Sequence, residues 1–326
     1  MTTTIEHRFV QTNDIRMHVA QRGSGPLVVL CHGFPESWYS WRHQLQALAD
    51  AGYTAVAPDM RGYGQTDAPA DISEYSMLHL VGDIVGLVAE LGAPRAVVVG
   101  HDWGAPVAWH CALLRPDLFR GIAALSVPYR GRGSVPPTSA MPRDERMEFY
   151  QLYFQQPGVA EAELSADVRF TMRALLYSGS GDAPQPADLL MVPRGGGFLT
   201  RAANAARLPD WLRAEDLDFY AAEFARTGFR GGLNWYRNID RNWALLAAFS
   251  GAKVTVPALF IGGDRDPVLA SPAARHVVAH LAEAVPQLRA TVMLAGCGHW
   301  TQQERAHEVN AALIEFLGAV HRTAQR

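Results

Sequence analysis

An aspartate lies between two glycines where a predicted strand meets a predicted helix, with Gly100 and Gly104 flanking Asp102. The β-branched run at 95–99 is typical of a buried parallel strand, and the amphipathic stretch at 105–114 indicates a helix. Glycines lack the Cβ atoms that would clash in a sharp turn, so Asp102 should project beyond the strand. A carboxylate is ionised at neutral pH and can attack an sp³ carbon bearing a leaving group without a base, leaving an alkyl ester on the protein.

Two further segments supply partners for this carboxylate. Asp266 comes just after the predicted strand at 254–262, and His299 comes just after the predicted strand at 289–294. The carboxyl ends of parallel strands meet at one edge of an open α/β sheet, which is where such sheets place their sites. A nucleophile, a histidine base and an acid that orients the base form the set needed for nucleophilic catalysis. We therefore expect these three side chains to converge.

Each of these residues also has a simpler interpretation. Asp102 could simply cap the following helix and have no catalytic role, because Asp is a favoured N-cap residue. His299 could be structural, and Asp264 competes with Asp266 for the acid role, since either could form a turn. We favour Asp266. His101 should support the turn rather than act as a base, because alternating strand side chains point to opposite faces.

A possible oxyanion hole follows the apolar strand at 27–31. The backbone N–H of Phe34, within the run His32 to Pro35, could pair with the N–H of Trp103 next to the nucleophile. The glycine and proline of this run could equally be ordinary turn residues. The oxyanion interpretation therefore depends on the assignment of Asp102.

The elements that would position these residues alternate between strand and helix patterns. The predicted strands lie at 15–21, 27–31, 53–57, 95–99, 121–127, 254–262 and 289–294. The predicted helices lie at 41–51, 77–91, 105–114, 272–284 and 307–319. Right-handed crossovers between such units build a mostly parallel, doubly wound α/β sheet with helices on both faces.

The alternation stops at Tyr129 and resumes after Trp243. The intervening segment has a Gly/Pro-rich entry, helical stretches and loops, but no convincing parallel strand. Its helical stretches lie near 149–164 and 217–226. We predict that residues 1–128 and 244–326 form the core domain and that 129–243 form an inserted helical cap.

Composition excludes several other classes of protein. The chain has 326 residues, of which 48% are hydrophobic and 19% charged, so it can bury a large core. A net charge of -3 with interspersed charges argues against nucleic acid as a partner. No apolar stretch approaches the ~20 residues needed to span a bilayer. Residues 1–8 lack the apolar core of a secretory signal, so we expect a cytoplasmic protein without a membrane partner.

The cysteines and histidines do not predict a metal site. Cys31, Cys111 and Cys297 are odd in number and fall in predicted strand or helix contexts, which suits reduced core thiols better than disulfides. None of the Cys/His spacings is typical of metal ligands. We therefore expect no metal.

Around Asp102, Asp266, His299 and the run from His32 to Pro35, the chain resembles the α/β-hydrolase-fold epoxide hydrolases, most closely the hydrolase domain of soluble epoxide hydrolase. The chain order of nucleophile, acid and histidine is that of the α/β-hydrolase triad. The similar blocks lie at 32–42, 100–108, 150–155, 228–231, 233–238 and 298–302. Residues 166–213 resemble the family only weakly. The resemblance implies an α/β-hydrolase fold, conversion of a small-molecule epoxide and water to a vicinal diol in detoxification, no cofactor, and a homodimer as a candidate assembly.

The resemblance also implies roles for the cap. Two cap tyrosines of the family hold the epoxide oxygen, and the matching positions are Tyr150 and Tyr236. Phenols with a pKa of about 10 can hydrogen-bond this oxygen and then donate a proton to it. Tyr153 is a rival to Tyr150, because it lies about one helical turn away on nearly the same face. The implied substrate-binding residues are Trp103, Phe34, Gln151 and Trp235.

Two other functions remain as alternatives. A haloalkane dehalogenase also uses a turn aspartate followed by a tryptophan, but it commonly has an Asn where this chain has Phe34. The paired tyrosines favour an epoxide. A non-catalytic small-molecule receptor could share the fold, since fold alone does not determine function. The complete set of nucleophile, base and acid argues against such a receptor.

Overall fold

The computed structural model describes residues 4–186, 188–203 and 207–324. The strands are β1 (Glu6–Thr12), β2 (Ile15–Arg22), β3 (Leu27–Cys31), β4 (Thr54–Pro58), β5 (Ala96–His101), β6 (Phe119–Leu125), β7 (Met147–Phe149), β8 (Met191–Pro193), β9 (Ala258–Gly263) and β10 (Leu288–Leu294). Eight of them form one sheet in the order β1-β2-β4-β3-β5-β6-β9-β10, while β7 and β8 form an antiparallel pair. Within the large sheet, β2 pairs antiparallel with β1 and β4, and the other pairs are parallel. The predicted mostly parallel α/β sheet is confirmed.

Helices surround this sheet. In chain order they are α1 (Arg42–Asp50), α2 (Met77–Glu90), α3 (Gly104–Leu114), α4 (Pro137–Ala140), α5 (Tyr150–Tyr153), α6 (Val159–Ala166), α7 (Val168–Ser178), α8 (Ala214–Thr227), α9 (Arg230–Arg237), α10 (Ile239–Leu245), α11 (Pro272–Ala279), α12 (Leu281–Ala284), α13 (Thr301–Glu304) and α14 (Ala306–Ala324). Short 3₁₀ turns lie at Trp38–Trp41, Ile72–Tyr75, Phe198–Arg201 and Ala247–Phe249.

The sheet is covered on both faces. Helices α2 and α3 share one apolar core with Val29 and Val98, whereas α1 and α14 share a second core with Val28 and Val97. Strands β3 and β5 are therefore buried on both sides, which accounts for their continuous apolar sequence. Helix α3 is buried over most of its surface, so the amphipathic pattern expected for it is absent.

Several elements differ from their predicted extents. Strand β1 was not predicted, because its side chains are mostly exposed and its backbone pairing with β2 defines it. Strand β9 begins four residues later than expected, after Pro257, whose ring nitrogen cannot donate to a ladder. The helix expected over 149–164 is broken into α5 and α6 at Pro157 and Gly158, where Gly158 has a φ of 86°.

Between β6 and β9 the chain forms helices α4 to α10 and the β7–β8 pair. This segment forms hydrogen bonds with the sheet's loops at several points. The indole of Trp235 donates to the carbonyl of Arg61 at 3.0 Å, and the His299 N–H donates to the carbonyl of Gly179 at 2.7 Å. The second contact joins the segment directly to the loop that follows β10.

Other features of the chain bear on its chemistry. Cys31, Cys111 and Cys297 are buried and free. Within the described ranges, the helices include none that is long and apolar enough to cross a membrane. The same part of the chain contains no group of three or more His, Cys, Asp or Glu residues arranged to hold a metal ion.

Candidate active site

Asp102 occupies a strained turn between β5 and α3. Its φ of 49° lies in the left-handed region, which L residues adopt at a cost. A Cβ on Gly100 would lie 2.0 Å from the carbonyl oxygen of Gly104, and a Cβ on Gly104 would lie 2.0 Å from that of Cys31. The turn therefore requires glycine at both positions, which is the physical basis of the spacing seen in the sequence.

The loop after β3 lies against the carboxylate of Asp102. The N–H of Phe34 donates to Oδ1 of Asp102 at 2.7 Å. A Cβ on Gly33 would lie 2.3 Å from that same oxygen and 2.6 Å from the backbone nitrogen of Trp103. The Phe34 amide therefore binds the carboxylate, and the Trp103 nitrogen lies beside the same glycine.

His299 lies between two carboxylates. Its Nε2 is 3.4 Å from Oδ2 of Asp102, and its Nδ1 is 3.1 Å from each carboxylate oxygen of Asp266. Asp264, the rival acid, is exposed and instead accepts the N–H of Gly296 at 2.8 Å. The structure thus brings together Asp102, His299 and Asp266.

These carboxylates control the protonation of the histidine. Burial alone would lower the pKa of His299, but the charge of Asp266 and the hydrogen bond and charge of Asp102 outweigh burial and raise this pKa well above its ordinary value. The single positive charge of a protonated imidazole offsets one of the two negative charges. Any change that neutralises Asp102 removes part of this effect.

A buried contact between His101 and Glu36, not identified from the sequence, lies against the loop that carries His299. Nδ1 of His101 is 2.7 Å from Oε2 of Glu36, and its Nε2 is 2.7 Å from the carbonyl oxygen of His299. Burial works against ionisation of Glu36, but the charge and hydrogen bond of His101 lower the pKa of this carboxyl to about 2. Ser126 also donates to the His299 carbonyl at 2.7 Å.

A largely apolar cavity opens above the carboxylate. Asp102, His299, Tyr150 and Tyr236 supply polar groups to its wall. The rest of the wall consists of Phe34, Pro35, Phe154, Leu175, Ser178, Gly179, Leu189, Leu190, Phe198, Ala202, Pro267, Val268 and Trp300. Ligand sites of small molecules commonly combine such an apolar lining with a few convergent polar groups.

The two tyrosines of the cavity come from different helices of the 129–243 segment. Tyr150 begins α5 and Tyr236 lies in α9, and their ring centroids are 5.9 Å apart. The amide of Gln151 donates to the Tyr150 hydroxyl at 3.0 Å. Enclosure in the cavity raises the pKa of both phenols, and the negative charge of Asp102 raises them further. Both hydroxyls therefore remain protonated and available as donors.

Several other candidates from the sequence are not among the residues that line the cavity. The Tyr153 hydroxyl donates to Glu163 at 2.8 Å. Trp103 packs edge-on against Tyr236, and Trp235 packs edge-on against Trp103. The indole N–H of Trp235 donates to the carbonyl oxygen of Arg61. Of the four predicted substrate-binding residues, Phe34 lines the cavity, whereas Gln151, Trp103 and Trp235 are not among the lining residues.

The chain is similar to known proteins along nearly its whole length. A family model described as alpha/beta hydrolase fold matches residues 26–306. Epoxide hydrolase A of Mycobacterium tuberculosis is 49% identical, over 95% of this chain and 96% of that protein. Epoxide hydrolase 1 of Siraitia grosvenorii is 43% identical, over 96% of this chain and 98% of that protein. The solved structure of an epoxide hydrolase from an endophytic Streptomyces has a TM-score of 0.95 and 46% identity, over 98% of this chain and 97% of that chain.

Proposed function

The chain belongs to the epoxide hydrolases of the α/β-hydrolase fold, and we propose that it converts an epoxide to a vicinal diol through a covalent ester on Asp102. One observation carries this proposal. The Asp102 carboxylate faces an apolar cavity, with Oδ1 bound by the Phe34 amide and Oδ2 next to the His299 imidazole. The site thus presents a carboxylate nucleophile to an apolar substrate.

In the first step, Asp102 attacks one ring carbon of the epoxide. A carboxylate oxygen forms the new ester bond while the carbon–oxygen bond of the ring breaks. Tyr150 and Tyr236 hold the departing oxygen, and a phenol proton passes to it as its negative charge develops. The product is a hydroxyalkyl ester of Asp102. Because Asp102 is already a carboxylate, this step needs no general base.

In the second step, His299 takes a proton from a water molecule that attacks the ester carbonyl carbon. Asp266 orients the imidazole and compensates its charge. The amides of Phe34 and Trp103 hold the tetrahedral oxyanion, a contribution of about 3 to 4 kcal/mol per donor in other hydrolases. Collapse of this intermediate breaks the bond between the carbonyl carbon and the oxygen attached to the alkyl group, and the proton on His299 passes to that departing oxygen to give the diol. The remaining carboxyl proton returns to the phenolate, which restores the Asp102 carboxylate and the tyrosine.

The first step prepares the base for the second. An Asp102 ester carries no charge, so one of the two carboxylates that raise the pKa of His299 is lost when the ester forms. The pKa of His299 then falls, and the neutral imidazole that can accept a proton from water becomes more populated.

The cavity favours this reaction over dehalogenation. A departing halide needs hydrogen-bond donors in the cavity. The Phe34 side chain is apolar, and Trp103 packs against Tyr236 and is not among the residues that line the cavity. The two phenols are instead suited to an oxygen that becomes an alkoxide. We further propose that residues 129–243 act as the cap, because they supply both phenols, and that the protein works in the cytoplasm, where its three buried thiols stay reduced.

Intact-protein mass spectrometry tests the covalent step. His299→Gln should stop turnover but not alkylation, so its mass should rise by one molecule of an aryl epoxide. Asp102→Asn, the matched control, should show no such increase. An unmodified mass in folded His299→Gln, with an epoxide that the native enzyme consumes, would contradict the assignment of His299 to the second step.

A further inference from the structure

The loop that carries His299 touches a loop of the cap through its backbone. The His299 N–H donates to the carbonyl of Gly179 at 2.7 Å. A Cβ on Gly298 would lie 2.2 Å from the nitrogen of Gly181 and 2.3 Å from the carbonyl oxygen of Gly179. The two loops therefore approach more closely than side chains would allow. Gly179 also lines the cavity, so this contact joins the base to the substrate site.

One carboxylate, that of Glu304 in α13, binds both loops. Its Oε1 accepts the N–H of Trp300 at 3.0 Å, and its Oε2 accepts the N–H of Gly298 at 2.9 Å. These two amides flank His299 on either side. The same Oε2 accepts the N–H of Gly181 at 2.8 Å and lies 3.3 Å from the Ser180 hydroxyl.

The environment of this carboxylate makes its hydrogen bonds hard to replace. Glu304 is only 8% exposed, and burial raises its pKa while its bonds to the three amides act in the opposite direction. Each oxygen of the carboxylate faces at least one N–H donor. A glutamine has only one acceptor oxygen, so its NH₂ group would have to face an N–H donor. Buried donors left without an acceptor are destabilising.

We propose that Glu304 is a positioning residue for ester hydrolysis, which holds His299 in place and couples it to the cap loop at 179–181. This inference rests on the proposed function, in which His299 acts only in the second step. The attack of Asp102 on the epoxide does not use the imidazole as a base. Loosening the His299 loop should therefore slow hydrolysis of the ester more than its formation.

Transient kinetics separates these two steps. In Glu304→Gln, rapid quenching followed by intact-mass analysis should show a hydrolysis rate constant that is lower by about 10- to 100-fold, the scale of a misplaced catalytic group. The rate constant for ester formation should be unchanged, so alkylated enzyme should accumulate in the steady state. Glu304→Asp keeps two acceptor oxygens and should retain a higher hydrolysis rate constant than Glu304→Gln. If Glu304→Gln does not fold, Glu304→Asp is measured against the native enzyme in the same assay.

A matched control separates positioning from stability. Asp83→Asn alters another buried carboxylate, 1% exposed and 2.6 Å from Arg61, which is not among the cavity-lining residues. It should lower Tm and leave both rate constants unchanged. If Glu304→Gln lowers both rate constants equally, or lowers Tm alone, the positioning role is overturned. If the His299→Gln adduct fails to form, the ester mechanism is overturned and this inference with it.

Discussion

Removal of the two cap hydroxyls should slow opening of the epoxide ring. Tyr150 and Tyr236 line the cavity above Asp102, and enclosure keeps both phenols protonated. Loss of one preorganised donor to a developing oxyanion costs about 10²- to 10³-fold, or about 2.7–4 kcal/mol. Tyr150→Phe and Tyr236→Phe should each slow ring opening by a factor near the lower end of this range, because the other phenol still binds the same oxygen. The double variant should lose more than the product of the two single effects.

The assay should isolate the first step. In a His299→Gln background, the rate of mass increase by one epoxide reports ring opening alone. Tyr63→Phe is a matched control, because the Tyr63 hydroxyl is buried, has no hydrogen-bond partner among the described residues, and is not on the cavity wall. Tyr153→Phe should lose the bond to Glu163 but not slow ring opening. A larger effect of Tyr153→Phe than of Tyr150→Phe would refute the assignment of the phenols.

Two further predictions concern Asp102 and its surroundings. The imidazole of His299 should titrate well above 6.5 by NMR. Asp102→Asn should lower the midpoint of this titration, because the charge of Asp102 favours the protonated imidazole. An unchanged midpoint would show that the two groups are not coupled. Gly33→Ala places a Cβ 2.3 Å from the Asp102 carboxylate, so the rate of alkylation should fall by at least about 100-fold. Gly131→Ala is the matched control and should be neutral, because its Cβ would have no atom within 4 Å. Normal alkylation by Gly33→Ala would contradict the described geometry.

The core of the site could be predicted because it depends on local sequence at strand ends. The flanking glycines identify the turn at Asp102, and the parallel strands before Asp266 and His299 place all three at one sheet edge. Choosing Tyr150 over Tyr153 required the family resemblance, since the two lie about one turn apart. The structure separates them, because Tyr153 bonds to Glu163 and Tyr150 faces the cavity.

The supporting carboxylates could not be predicted in the same way. Glu36 and Glu304 resemble ordinary polar residues in the sequence, because their partners come from distant parts of the chain. Glu304 binds an amide of Gly181, 123 residues away, and His101 lies 65 residues from Glu36. Similarly, Trp235 was expected to contact substrate, but its indole bonds to the carbonyl of Arg61, 174 residues away. Tertiary packing alone determines these contacts.

The origin of the oxygen in the product tests the covalent mechanism most directly. With enzyme in molar excess over epoxide in ¹⁸O-labelled water, the diol from the first turnover should be largely unlabelled, because its new oxygen comes from the carboxylate of Asp102. Solvent oxygen should remain on Asp102, where peptide mass analysis detects it, and the diol should become labelled after many turnovers. A diol labelled in the first turnover would mean that water attacks the epoxide directly, and would contradict the ester on Asp102.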